Sequence, residues 1–157
     1  MAMSPLAAFR RFGGSAPGRW LFSRLVCFQA PYFGSIGPVI EELAPGRCVA
    51  RIKDRRRVHN HIGTVHAIAL CNLAEFTAGL GTDASIPPSM RWIPKGMTVR
   101  YLRKAQGTMT ATCSIPPATE GVAQDLLAHV DVRNPAGEVV FDADITMYVS
   151  PRKPREA

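Results

Sequence analysis

The chain has 157 residues, 46% of them hydrophobic and 20% charged, with a formal net charge of +7. That length fits one domain, and the apolar share supports a real core, so a disordered tail protein is excluded. No run of about 18 uncharged apolar residues occurs, so a membrane-spanning helix is not expected.

The charge excess is local. Residues 1–58 hold ten Lys/Arg against Glu41, Glu42 and Asp54, residues 59–90 hold only Glu75 and Asp83, and residues 91–157 are nearly balanced. A basic front end permits a nucleic-acid or membrane-surface role. Yet Arg55-Arg56-Arg57 is short, and no aromatics interleave with arginines on a strand face, so nucleic acid is not the expected partner. Cys27, Cys48, Cys71 and Cys113 show no C-x-x-C spacing and read as reduced thiols of a cytoplasmic protein. The first 40 residues lack acids and imitate a transit segment. Against that, Trp20-Leu21-Phe22 and Leu25-Val26-Cys27-Phe28 recur at helical spacing.

In chain order, Ser4-Pro5 opens a short capped helix. Gly13-Gly14-Ser15-Ala16-Pro17-Gly18 breaks it, and a second helix follows from about Arg19 to Gln29. Its apolar positions Trp20, Leu21, Leu25 and Phe28 are predicted to face one side, with Arg10, Arg11, Arg19 and Arg24 turned to solvent. Residues 39–43 and 48–53 form a hairpin about Ala44-Pro45-Gly46. A polar connection leads to the strongest helical signal, about Thr64 to Asp83. That helix is apolar almost all round, hence buried, and Gly79 and Gly81 are read as its end. Four alternating strands follow near 97–102, 109–115, 126–133 and 139–149, the last two joined by a turn at Asn134–Gly137. One apolar helix against an antiparallel sheet is an α+β fold.

Chemistry concentrates at two places. Glu75 is the only acid between Arg55 and Thr82 and lies in the middle of the apolar helix, where a carboxylate is costly unless paired or protonated, and is a candidate general base or nucleophile. The plain alternative is a helix face touching an Arg or a partner subunit. Ahead of the helix, His59-Asn60-His61-Ile62-Gly63-Thr64-Val65-His66 brings polar side chains to a helix N-terminus, whose free N–H groups can polarise a carbonyl. These histidines can equally be capping or packing residues. No Cys or acid lies close by to complete a metal set, so no metal is expected.

Asn60, His66 six residues on and Glu75 nine further, with Leu73-Ala74 before the acid, resemble the hotdog-fold acyl-CoA thioesterases. More narrowly the pattern is similar to the phenylacetyl-CoA-type branch, which carries an Asn, a Gly, His-Gly-Gly and then Leu-(Ala/Val)-(Asp/Glu) on its central helix. The matching positions read Asn60, Gly63-Thr64-Val65-His66-Ala67-Ile68 and Leu73-Ala74-Glu75. Met97–Leu102 resembles the long strand after that helix, and Arg103-Lys104-Ala105-Gln106-Gly107 the bend that nears the coenzyme. The resemblance spans residues 36–150 and is closest to a little-characterised hotdog branch of unknown function. Ala67 and Ile68 depart from the two glycines, and Trp92-Ile93-Pro94-Lys95 offers no hydroxyl where some relatives place one.

The resemblance implies an α+β hotdog fold, a long buried helix wrapped by a curved antiparallel sheet of about five to six strands. Residues 1–35 would be a helical extension packed on the core, 36–150 the hotdog domain and 151–157 a charged flexible tail. It implies hydrolysis of acyl-CoA thioesters in a homodimer or dimer of dimers, with coenzyme A only as part of the substrate and no other cofactor. Glu75 would activate water or attack the carbonyl, the Ala67 N–H would polarise it, and Asn60 and His66 would orient substrate or water. Gly63, Arg57, Arg100, Arg103 and Lys104 would bind the coenzyme, with Arg55 and Arg56 further candidates for its phosphates. The alternative is a non-catalytic acyl-CoA or lipid-binding hotdog protein, favoured by Ala67 and Ile68.

Overall fold

The computed structural model of the chain describes residues 3–152. Helix α1 (Pro5–Phe12) is capped by the Ser4 hydroxyl, which accepts from the Ala7 N–H at 3.3 Å. Helix α2 (Ala16–Gln29) begins three residues earlier than the glycine-rich stretch suggests, because Ser15 caps it and Pro17 fits its first turn. A short 3-10 turn, Pro31–Ser35, leads to the hairpin β1 (Val39–Ala44) and β2 (Arg47–Ile52). Helix α3 (Ala67–Ser85) precedes β3 (Met90–Tyr101), β4 (Met109–Ser114), β5 (Gln124–Arg133) and β6 (Val139–Pro151). The strands make one antiparallel sheet in the order β1-β2-β4-β5-β6-β3.

Helix α3 crosses the sheet and touches all six strands. Its buried face carries Leu70, Leu73, Ala74, Phe76, Ala78 and Leu80, packed against Ala50, Ile52, Met109, Val130, Ile145 and Met147 in one core. Thr77 and Thr82 are buried within it and return their hydroxyls to the carbonyls of Leu73 and Ala78, each at 2.7 Å, so neither polar group is left unsatisfied. Gly79 and Gly81 do not end the helix, which continues to Ser85. They are points of close approach: a Cβ on Gly79 would lie 2.8 Å from the Trp92 ring, and one on Gly81 3.4 Å from Cys113 Sγ.

Further expectations change. Trp20, Leu21, Leu25 and Phe28 do share one side of the second helix, but it is the exposed side, and the face laid against β1 carries Phe22, Ser23 and Cys27. Ser23 anchors that face, its hydroxyl accepting from the Ile40 N–H at 2.9 Å. Arg19 is not simply solvated but pairs with Glu41 at 3.0 Å. The strand after α3 starts at Met90, well before Met97, with a bulge between Pro94 and Gly96. A strand tolerates that proline because β3 is an edge. Of the expected charged tail, Pro151 closes β6, the Arg152 N–H donates to Ser89 O at 2.8 Å, and residues 153–157 lie outside the described residues.

Candidate functional site

The approach to α3 is a tight polar loop built by Asn60. Its Oδ1 accepts from the N–H groups of Ile62 and Thr64, each at 3.1 Å, and its Nδ2 donates to Thr64 Oγ1 at 2.8 Å. One amide hydrogen remains for another partner. Gly63 sits at φ +78°, a left-handed position that the turn requires and glycine supplies freely. Asp54 clamps the loop from outside, pairing with His59 Nε2 through one oxygen and accepting from the Gly107 N–H at 2.8 Å through the other. That hydrogen bonding to His59 lowers the Asp54 pKa. The Val65 N–H donates to Ala105 O at 2.8 Å, so the 102–107 bend is held beside the helix entrance.

His66 caps α3. Its Nδ1 accepts from the Ile68 N–H at 3.0 Å, which fixes the neutral tautomer with the proton on Nε2. The ring is exposed. The Ala67 N–H, first of the helix, has no acceptor among the described residues and stands free at the positive end of the dipole. Ile68 beside it is 55% exposed and leans over the same entrance.

Glu75 lies two turns further along α3, half-buried rather than sealed in the core. It has no hydrogen bond or ion pair among the described residues, so none of their arginines holds it as a merely structural acid. It borders two cavities. One, about 220 Å³, is walled by Val26, Phe33, Phe76, Leu80 and Trp92; the other, about 270 Å³, lies toward Lys95, Gly96 and Met97 of edge strand β3. The face of α3 that carries Ile68 and Glu75 also carries Cys71, whose Sγ is 3.1 Å from Tyr101 Oη. That contact, with burial, pushes the Tyr101 hydroxyl up to about 12.

Helix geometry separates the two ends of the site. Eight residues at about 1.5 Å each put the Ala67 N–H roughly 12 Å along the axis from Glu75. No single reacting atom can lie within hydrogen-bonding reach of both groups in one chain.

The cationic candidates divide. Arg57 stays at the entrance, donating to Gly34 O at 3.0 Å and lining a hollow with His66 and Ile68. Arg103 and Lys104 sit on the docked bend, Arg103 loosely facing Glu138 at 3.9 Å. Arg100 is not brought to this face. In β3 it alternates with Tyr101, projects from the other side of the sheet, and pairs with Asp142 at 2.7 Å.

Two wall residues were not singled out from sequence. Asp83, two turns beyond Glu75, borders the apolar cavity of about 220 Å³, and burial raises its pKa against a hydrogen bond from Trp92. Trp92 lies across Gly79. An acid at the same spacing along the same apolar helix was the available signal for Asp83; the Gly79–Trp92 contact is tertiary and left none.

The family model described as "Domain of unknown function (DUF4442)" matches residues 18–149. No curated protein matches in sequence. Among solved structures, a crystal structure from a genomics project is 44% identical at TM-score 0.81, covering 94% of this chain and 98% of its own. A Pseudomonas aeruginosa protein of unknown function, described as a probable thioesterase, is 24% identical at TM-score 0.75, covering 83% and 93%. A Haemophilus influenzae thioesterase is 15% identical at TM-score 0.73, covering 85% and 91%. With a long helix laid on a six-stranded antiparallel sheet, and an overall fold that superposes on these neighbours, the fold is the hotdog fold, and the chain belongs to the DUF4442 family.

Proposed function

We propose that the protein hydrolyses acyl-CoA thioesters at a site shared by two copies of the chain. The observation that carries this reading is the unpartnered Glu75 carboxylate at an apolar cavity, on the same helix as a free N-terminal N–H about 12 Å away. A carboxylate base and an oxyanion donor are the minimum for acyl transfer to water, and they must act on one carbonyl. A second subunit related by a two-fold axis supplies the missing half. The exposed edge of β3, with Ile93, Met97 and Tyr101 outward, suits that pairing and needs a cover.

In this reading Glu75 of one subunit removes a proton from water, which attacks the thioester carbonyl. The Ala67 N–H of the other subunit receives the developing oxyanion, assisted by the helix dipole. The tetrahedral intermediate collapses with cleavage of its C–S bond, and the departing coenzyme A thiolate takes the proton back from Glu75. The remaining amide hydrogen of Asn60 and the Nε2 proton of His66 orient the carbonyl or the water. Gly63 keeps the entrance loop low enough for the pantetheine arm. Arg57, Arg103 and Lys104 meet the phosphates, and the Val26–Phe33–Trp92 cavity receives the acyl group. The resident chemistry needs no cofactor.

Two substitutions test it cleanly. Glu75→Gln removes the base. Ala67→Pro removes only the N–H, because proline suits the first helical position and His66, at φ −64° and ψ 139°, already has the backbone a residue before proline takes. Each variant alone is expected to lose about 10²–10³-fold in kcat against acyl-CoA substrates. Mixed after dissociation, they form hybrid dimers with one intact site, and roughly a quarter of wild-type activity returns. Wild-type binding without turnover would favour the non-catalytic acyl-CoA carrier. Loss of activity in each variant with no recovery on mixing would place both groups in one subunit's site and sink the shared-site reading.

A further inference from the structure

The surface of α2 away from the core is unusual. Trp20, Leu21, Leu25 and Phe28 lie on its outer side at 56%, 48%, 53% and 85% exposure, and Tyr32 follows at 70%. An isolated exposed apolar side chain is ordinary, but a continuous stripe on one helix face marks a surface that something covers. The stripe runs directly into a groove of about 310 Å³ in which Trp20 meets Arg24, Arg51, Lys53, Arg55 and Arg57.

The cations of that groove are short of carboxylates. Arg51 shares Glu41 with Arg19. Arg24, Lys53, Arg55 and Arg57 have no acidic partner among the described residues. Arg24 donates to Pro38 O and Arg57 to Gly34 O, and the Arg55 and Arg57 guanidinium groups both lie against Gly37. Gly37 holds φ +61°, and any Cβ there would collide with both guanidinium groups. Three guanidinium groups thus converge on one short backbone stretch with nothing negative among them.

We infer that this face docks onto an anionic lipid surface, α2 lying in the interfacial plane with its Trp–Leu–Phe stripe among the acyl chains and the groove cations on headgroup phosphates. A bilayer interface offers apolar depth and negative charge side by side, which matches the stripe and the groove together. Helix α2 is about 21 Å long, too short to cross the hydrocarbon core, so it lies flat. A second copy fits worse: a two-fold contact through this face would set identical cation clusters against each other. Nucleic acid fits worse too, since Leu21 and Leu25 have no partner on a phosphate backbone. The face lies beside β1, at the opposite end of the strand order from β3, so it does not need the β3 edge, and Arg57 is the one groove cation it shares with the proposed site.

The test uses the full chain and vesicles of three parts phosphatidylcholine to one part phosphatidylglycerol, with pure phosphatidylcholine as control. Binding is read by co-sedimentation and by emission of Trp20, the only indole left in a Trp92→Phe background. Co-sedimentation with the anionic vesicles at low salt, a blue shift of Trp20 and release at high salt are expected. Lys53→Ala with Arg55→Ala should weaken binding about 25-fold, roughly fivefold per cation. Leu25→Ser with Phe28→Ser should abolish the blue shift with the circular dichroism unchanged. No sedimentation with anionic vesicles overturns the inference. So does pyrophosphate binding that excludes the vesicles without moving Trp20 emission, which would make the groove a site for a soluble anion. Tighter binding to a single-stranded RNA oligomer, or an oligomer lost on Phe28→Ser, would overturn it in favour of those partners.

Discussion

Gly79 shows how one missing side chain shapes the site. In an exposed helix interior glycine costs about 1 kcal/mol relative to alanine. Here alanine would place a methyl 2.8 Å from the Trp92 ring, so overpacking of about 1–3 kcal/mol outweighs the propensity gain. Gly79→Ala is therefore expected to lower stability by about 1 kcal/mol and to shift Trp92 emission, measured by denaturant titration. His129 makes a second residue-scale case, on the far side of the sheet from α3. Its Nδ1 lies 2.6 Å from Asp144, and that hydrogen bond raises its pKa. A raised histidine pKa stabilises the fold fully below the unfolded value near 6.5, and the benefit is lost as pH climbs through the folded value. His129→Gln should flatten the decline that wild-type Tm shows as pH rises above about 6.5. The side chain is 44% exposed, so solvent damps the effect.

At the scale of elements, what was legible from sequence depended on whether the signal was local. The order of helices and strands, the β1–β2 hairpin, the Asn134–Gly137 turn and the burial of α3 follow from caps, turn residues and periodicity, all short-range. Glu75 and the polar entrance to α3 were legible as chemistry out of place: an acid in an apolar run, and a helix start crowded with His and Asn. The glycines of α3 misled because a glycine that ends a helix and one that lets a neighbour close in are identical in sequence. The outer face of α2 misled because the helix is apolar on both sides, and periodicity names a stripe without saying which stripe turns inward. Arg100 entered through the family resemblance, whereas its place in the strand alternation already sets it on the opposite face from Tyr101. The element-scale prediction concerns β3. Ile93 is 60% exposed on its open edge, and Ile93→Lys should leave the monomer folded while shifting sedimentation toward the single chain.

Across the whole molecule, the basic surplus resolves into two separate tasks. Arg100, Arg103 and Arg133 face acids and largely cancel. The uncompensated charge of residues 24–57 gathers on one face with α2, beside the helix entrance. Arg57 borders both.

The close approach at Gly81 has a consequence for thiol chemistry. Cys48 and Cys113 face each other across β2 and β4, fully buried beneath that turn of α3, and burial drives both thiols well above their ordinary range. Cys27 is also buried and shifted upward, while Cys71 alone reaches the surface. An alkylating reagent should consume Cys71 within minutes in the native state and reach the β2–β4 pair only when α3 lifts from the sheet. The four thiols are thus a stopwatch written into the chain. Mass spectrometry after timed labelling would read how often the core opens, without a dye or an engineered probe.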